Sequence, residues 1–178
     1  NSWESFTNGI PYVAIHDLVI QKEAKHLLIG THGRSIYKAD IAKLQNLTPE
    51  VLKKELYVYP LENIKHSARW GNSWSSWSKA STPGLDISFY SNRDEVYQAK
   101  IKSSDDILVS ETDIVSDKGI NILSYDLAFS KIGKLNYLKK HKTELKIADD
   151  GKTYLPKGSY SIELKGNGKT ELVTFEIE

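Results

Sequence analysis

Residues 12–41 decide the fold class. They read Tyr12-Val13-Ala14-Ile15-His16-Asp17-Leu18-Val19-Ile20, a polar break from Gln21 to Lys25, His26-Leu27-Leu28-Ile29-Gly30-Thr31, the pair His32-Gly33, and Ser35-Ile36-Tyr37-Lys38-Ala39-Asp40-Ile41. Each run is short, rich in Val, Ile, Leu and Tyr, and bounded by glycine or a charged cluster, the pattern of strands joined by tight turns. Three such runs in succession predict an antiparallel meander. Upstream, Ser2-Trp3-Glu4-Ser5-Phe6-Thr7 stops at Asn8-Gly9 and reads as the end of a further strand.

Working outward, Thr48-Pro49-Glu50 carries the signs of a helix start: an N-cap threonine, proline at the first helical position and an acid in the first turn. A short helix is expected near 49–56, and Leu56-Tyr57-Val58-Tyr59 then reads as extended up to Pro60. Residues 66–83 change character, with Ser, Asn and Gly interleaved with Trp70, Trp74 and Trp77, and close on Thr82-Pro83. This marks a connector between an N-terminal segment, 1–65, and a C-terminal domain, 84–178. In the latter, strands are expected at Leu85–Tyr90, Val96–Lys102, Leu108–Thr112, Gly119–Tyr125, Thr143–Ile147, Gly158–Leu164 and Glu171–Ile177. That number of short strands at that spacing predicts an immunoglobulin-like β-sandwich, here without its hallmark disulfide. Its core is expected from Ile87, Phe89, Val96, Ile101, Ile122, Tyr125, Leu145, Ile147, Tyr160, Ile162, Leu164, Val173 and Phe175.

Composition narrows the function classes. With 24 Lys+Arg against 23 Asp+Glu in 178 residues, no global field favours nucleic acid or an anionic membrane surface. No apolar run approaches the roughly 20 residues of a membrane span. The absence of cysteine removes disulfides, thiolate zinc sites, iron–sulfur clusters and cysteine nucleophiles. The chain starts at Asn1 and holds no methionine, so it reads as a mature product or a piece of something longer.

Two stretches carry a resemblance. Val13–Ile20 followed by Leu27-Leu28-Ile29-Gly30-Thr31-His32-Gly33-Arg34-Ser35-Ile36-Tyr37 resembles the final blade of sortilin-like, BNR-repeat β-propellers, often labelled glycosyl hydrolases in bacterial genomes. Thr82-Pro83-Gly84-Leu85-Asp86-Ile87-Ser88-Phe89-Tyr90, Lys118–Leu127 and Pro156-Lys157-Gly158-Ser159-Tyr160-Ser161-Ile162 resemble, in that order, the immunoglobulin-like domain that often follows it, with Tyr125 where tryptophan is usual. The resemblance implies an all-β chain: a partial propeller blade followed by an immunoglobulin-like sandwich. It also implies a secreted, periplasmic or cell-surface setting, a non-catalytic accessory role, and the rest of a parent propeller or another protein as partner. The alternative is a part in carbohydrate processing with sugar-binding residues in this segment. A blade buries both faces between neighbours, so the first 65 residues should need covering by the sandwich, another chain or a larger assembly.

The candidate chemistry is thin. His16, Asp17, His32 and Arg34 bring two imidazoles, a carboxylate and a guanidinium to adjacent strands, where they are able to handle protons. The competing reading ties Asp17 and both histidines to turn amides, gives Gly33 a special backbone angle and pairs Arg34 with a carboxylate. Asp105-Asp106 and Asp149-Asp150 read as turn acids rather than a glycosidase pair, since neighbours on a strand point apart. No cofactor is implied. For metal, His16, His26, His32, His66 and His141 offer no helical i, i+4 pair, and Asp113–Asp117 lacks the spacing of a calcium loop. Trp70, Trp74 and Trp77 read either as a sugar-stacking platform or as anchors of the connector. The lysines at 131, 134, 139, 140 and 142 are expected in a solvated loop, with a phosphate patch as the other reading.

Overall fold

A computed structural model describes residues 10–75 and 77–178. The strand expected over Ser2–Thr7 lies outside the described residues. The chain divides into two compact units, Asn1–Thr48 and Pro49–Glu178, and all its sheets are antiparallel and open. The class is all-β.

The first unit holds the expected meander, β1 (Ile15–Gln21), β2 (His26–Thr31) and β3 (Ile36–Asp40), in the order β1-β2-β3, then a single helical turn, α1 (Ala42–Gln45). Cross-strand register sorts its side chains. Leu18 and Ile20 of β1 face Ile29 and Leu27 of β2, which face Tyr37 and Ala39 of β3. One face is therefore apolar except for Thr31 at its edge, while the other mixes Val19, Leu28 and Ile36 with His26, Lys38 and Asp40. Among the described residues of this unit only Ile29 and Ile41 are buried hydrophobics, and Leu18 and Ile36 stay 59% and 73% exposed. Above Ile29 lies an open apolar hollow of about 460 Å³, walled by Ile10, Tyr12, Val13, Ile15, Leu18 and Leu27.

The second unit begins with one turn of helix, α2 (Pro49–Leu52), shorter than the helix expected near 49–56. It stops because β4 (Leu56–Val58) must be extended to pair with β5 (Leu85–Ser91), Leu56 opposite Ser91. A sheet of three, β4-β5-β8, includes β8 (Gly119–Tyr125). A sheet of four, β10-β9-β6-β7, comprises β6 (Glu95–Ser103), β7 (Leu108–Ser116), β9 (Gly158–Gly166) and β10 (Lys169–Ile177). Their inner faces share one core, in which Leu56, Ile87, Phe89 and Tyr125 meet Tyr97, Ile101, Val109, Ile162, Leu164 and Phe175. The Phe89 and Tyr97 rings meet edge to face at 5.7 Å across it. Burying an aromatic or branched aliphatic side chain is worth roughly 1.5–3 kcal/mol, so this cluster dominates the unit's stability.

Four expected core residues are corrected, among them Leu145, which is half-buried outside the core cluster. Val96 and Ile122 have the wrong parity: Tyr97, Ala99 and Ile101 take the inner face of β6 and Tyr125 that of β8, leaving Val96 and Ile122 exposed. Ile147 is exposed because Thr143–Ile147 forms no strand. The lysine-rich stretch is a helix rather than a loop: α3 (Lys131–His141), with the Ser130 hydroxyl accepting the Gly133 amide (3.0 Å), basic residues in the last turn, and Lys142 in the left-handed region closing the end. Its inner face meets β7 at Gly133, the helix's one buried residue.

Candidate functional site

His16 sits at an irregularity in the β1–β2 ladder: Ile15 pairs with Thr31 but Asp17 with Gly30, so His16 is the extra residue of a bulge. The bulge aims its imidazole at that of His32, and the rings stack at 5.0 Å. Asp17 Oδ1 accepts the amide of its own neighbour Leu18 at 2.8 Å, a local cap rather than an orientation of either histidine. The following turn is tight. Gly33 has φ +72° and the Thr31 hydroxyl donates to the Ser35 carbonyl (2.6 Å). Arg34 makes no ion pair among the described residues and all four side chains are exposed. The structure brings the imidazoles together but, among the described residues, gives them neither a buried carboxylate partner nor an enclosing wall. Among the described residues no three of His, Asp and Glu converge as metal ligands.

The tryptophans separate into two kinds. Trp70 is 8% exposed, belongs to the core of the second unit, and packs against His66 (4.9 Å) and Tyr154 (6.1 Å). Trp74 and Trp77 are 82% and 93% exposed, each leaving roughly 150–250 Å² of largely apolar surface in water. The guanidinium of Arg69 lies over the Trp74 ring at 5.1 Å. Arg69 carried no signal of its own in the sequence; the contact depends on the turn that folds it back over Trp74.

Hydrogen bonds tie down the residues on either side of these indoles. Trp70 and Ser81 form a bridge, the Gly71 amide donates to the Ser81 carbonyl (2.8 Å), and the Asn72 amide group donates to the carbonyls of Ala68 and Trp70. The 149–151 turn clasps it from the other side: Asp149 Oδ2 accepts the Ser73 amide (3.2 Å) and the Asp150 amide donates to the Gly71 carbonyl (3.0 Å). Gly71, at φ +69°, is so closely packed that a Cβ would fall 2.4 Å from the Tyr154 ring. Ser75 and Ser78 close a further turn, the Ser75 amide donating to the Ser78 hydroxyl at 2.9 Å. Partial burial works to raise the Asp150 pKa. Hydrogen bonds from the Tyr154 phenol and the Lys152 amide outweigh it and hold the carboxyl below its usual range.

The turn acids behave as such. Asp105 accepts the Ser103 hydroxyl (2.9 Å), the first cause of its lowered pKa, and meets Lys140 (3.5 Å) and His141 (3.1 Å), pinning the end of α3 to the β6–β7 turn. No protein-family model matches the chain, and no curated protein matches it.

Proposed function

We propose that the chain is a non-catalytic accessory module of a larger β-propeller protein, in which residues 15–40 are blade strands that dock against further sheet and the second unit is an immunoglobulin-like domain. The observation that carries the reading is the small sheet. It exposes Leu18, Ile20 and Val19, hence apolar side chains on both faces, and among the described residues of its unit only Ile29 and Ile41 are buried hydrophobics, a small core for a three-stranded sheet. A flat apolar sheet face is matched by another sheet about 10 Å away, the arrangement between propeller blades.

For the second unit, labelling its seven strands A to G in chain order gives one sheet A-B-E and another G-F-C-D. Constant-type immunoglobulin sheets read A-B-E-D and G-F-C, so the order differs only in the placement of D, which here pairs with C. Tyr160, near the start of the sixth strand, donates its phenol to the Pro156 carbonyl at 2.8 Å. That is the geometry of the tyrosine corner found at this place in immunoglobulin-like domains.

The test is to assay the 178-residue chain and the full-length protein it is proposed to come from on the same glycosides, and to follow amide exchange in β1–β3. The expected result is no turnover by the 178-residue chain, with protection of β1–β3 rising sharply in the full-length protein. Turnover by the 178-residue chain, or equal protection in both, overturns the reading.

A further inference from the structure

We propose that Trp74 and Trp77 form a stacking platform for the pyranose rings of a polysaccharide. Three observations combine. Both indoles stand almost wholly in water, whereas Trp70, four residues earlier, is buried, so the segment is built to present two tryptophans and anchor with the third. The base of the segment is tied down without help from either exposed ring: Trp70 packs in the core and bridges Ser81, and Asp149 and Asp150 contact Ser73 and Gly71. A tethered base lowers the ordering cost of binding, which favours affinity from a small contact area.

The surroundings select the occupant. In sequence, the residues between Gly71 and Lys79 other than the two indoles are an asparagine and serines, with no Leu, Ile, Val or Phe. A segment that enters a lipid interface combines Trp with aliphatic side chains on its apolar face, and a protein-docking patch is likewise contiguous apolar surface. Isolated indoles among hydroxyls and amides match a ligand with an apolar C–H face and a rim of hydroxyl groups, which is a pyranose. Arg69 covers part of Trp74 and supplies hydrogen-bond donors at the edge of the platform, suited to a sugar hydroxyl or to a uronate carboxylate.

The test is affinity electrophoresis of the 178-residue chain in gels containing neutral polysaccharides (hydroxyethylcellulose, laminarin, galactomannan) or acidic ones (alginate, polygalacturonate), with sedimentation of phosphatidylcholine/phosphatidylglycerol vesicles alongside. Retardation is expected in at least one gel. Trp74→Ala and Trp77→Ala are each expected to weaken it about tenfold and the double variant to migrate as in a blank gel, with unchanged thermal midpoints. Retardation confined to acidic gels and lost in Arg69→Gln assigns the guanidinium to a carboxylate; retardation in neutral gels that survives Arg69→Gln assigns binding to stacking alone. No retardation of the wild type in any gel, undiminished retardation of the double variant, or vesicle binding without glycan binding overturns the proposal.

Discussion

Gly133→Ala isolates the packing of α3 on the large sheet. In an exposed helix the change is stabilising by about 1 kcal/mol, because glycine is a poor helix former. Here the sign reverses. A Cβ at Gly133 would stand 1.9 Å from the carbonyl oxygen of Val109 and 2.3 Å from its carbonyl carbon, both backbone atoms that no rotamer change moves away. Restoring an ordinary 3.4 Å contact requires the first turn of α3 to retreat by about 1.5 Å. That retreat breaks the hydrogen bonds from the Ser130 amide (3.0 Å) and hydroxyl (3.3 Å) to the Val109 carbonyl. Two such bonds are worth about 1 kcal/mol each, and forced overpacking adds roughly 1–3 kcal/mol. Set against the propensity gain, the variant should lose roughly 2–4 kcal/mol, lowering its urea midpoint by about 1–2 M at constant slope. A variant as stable as the wild type, or more stable, would show that α3 does not pack against β7 through Gly133.

Other substitutions test the core and the corner. Trp70→Ala should cost roughly 3–5 kcal/mol by urea unfolding, as deletion of a buried indole does, while Trp74→Ala and Trp77→Ala stay within about 0.5 kcal/mol of the wild type. Tyr160→Phe should remain folded and lose about 1 kcal/mol with its hydrogen bond to Pro156; no loss would show that this bond does not stabilise the unit. Burial is the first cause raising the phenols of Tyr125, Tyr154 and Tyr160, so the folded state holds their protons to higher pH than the unfolded chain does. Their contribution is fully present below about pH 10, the unfolded value, and is lost as pH rises toward the folded values. Tyrosinate absorbance should therefore show these three of the ten tyrosines ionising only as the protein unfolds, and their titration near pH 10 in a folded protein would contradict the burial.

The meander was legible because its alternation is undisturbed and its turns carry Gly33 and the Gln21–Lys25 break. Ile87, Phe89, Ile101, Ile162, Leu164 and Phe175 were legible for the same reason, as apolar residues on the inward parity of their own strands. Val96 and Ile122 were misplaced for one reason: where both parities are apolar, as at Val96-Tyr97 and Ile122-Leu123, alternation does not choose a face, and the facing sheet does. α3 was illegible because its inner face is Gly133, Lys134, Tyr137 and Leu138, a stripe of mixed chemistry, while Ile132 and Leu135 point to solvent. At the candidate site, sequence identified the histidine pair and the three tryptophans. It did not distinguish Trp70 from the other two, because that depends on the distant 148–154 segment that packs around Gly71.

The proposed role makes the first unit a docking sheet whose exposed apolar side chains require cover. Its most direct measurement is the fluorescence of an anilinonaphthalene sulfonate dye titrated against residues 1–178 and against residues 49–178, the unit with its own core. The account predicts strong enhancement with the longer chain and its near-complete loss when residues 1–48 are removed; equal enhancement from the two chains would contradict it.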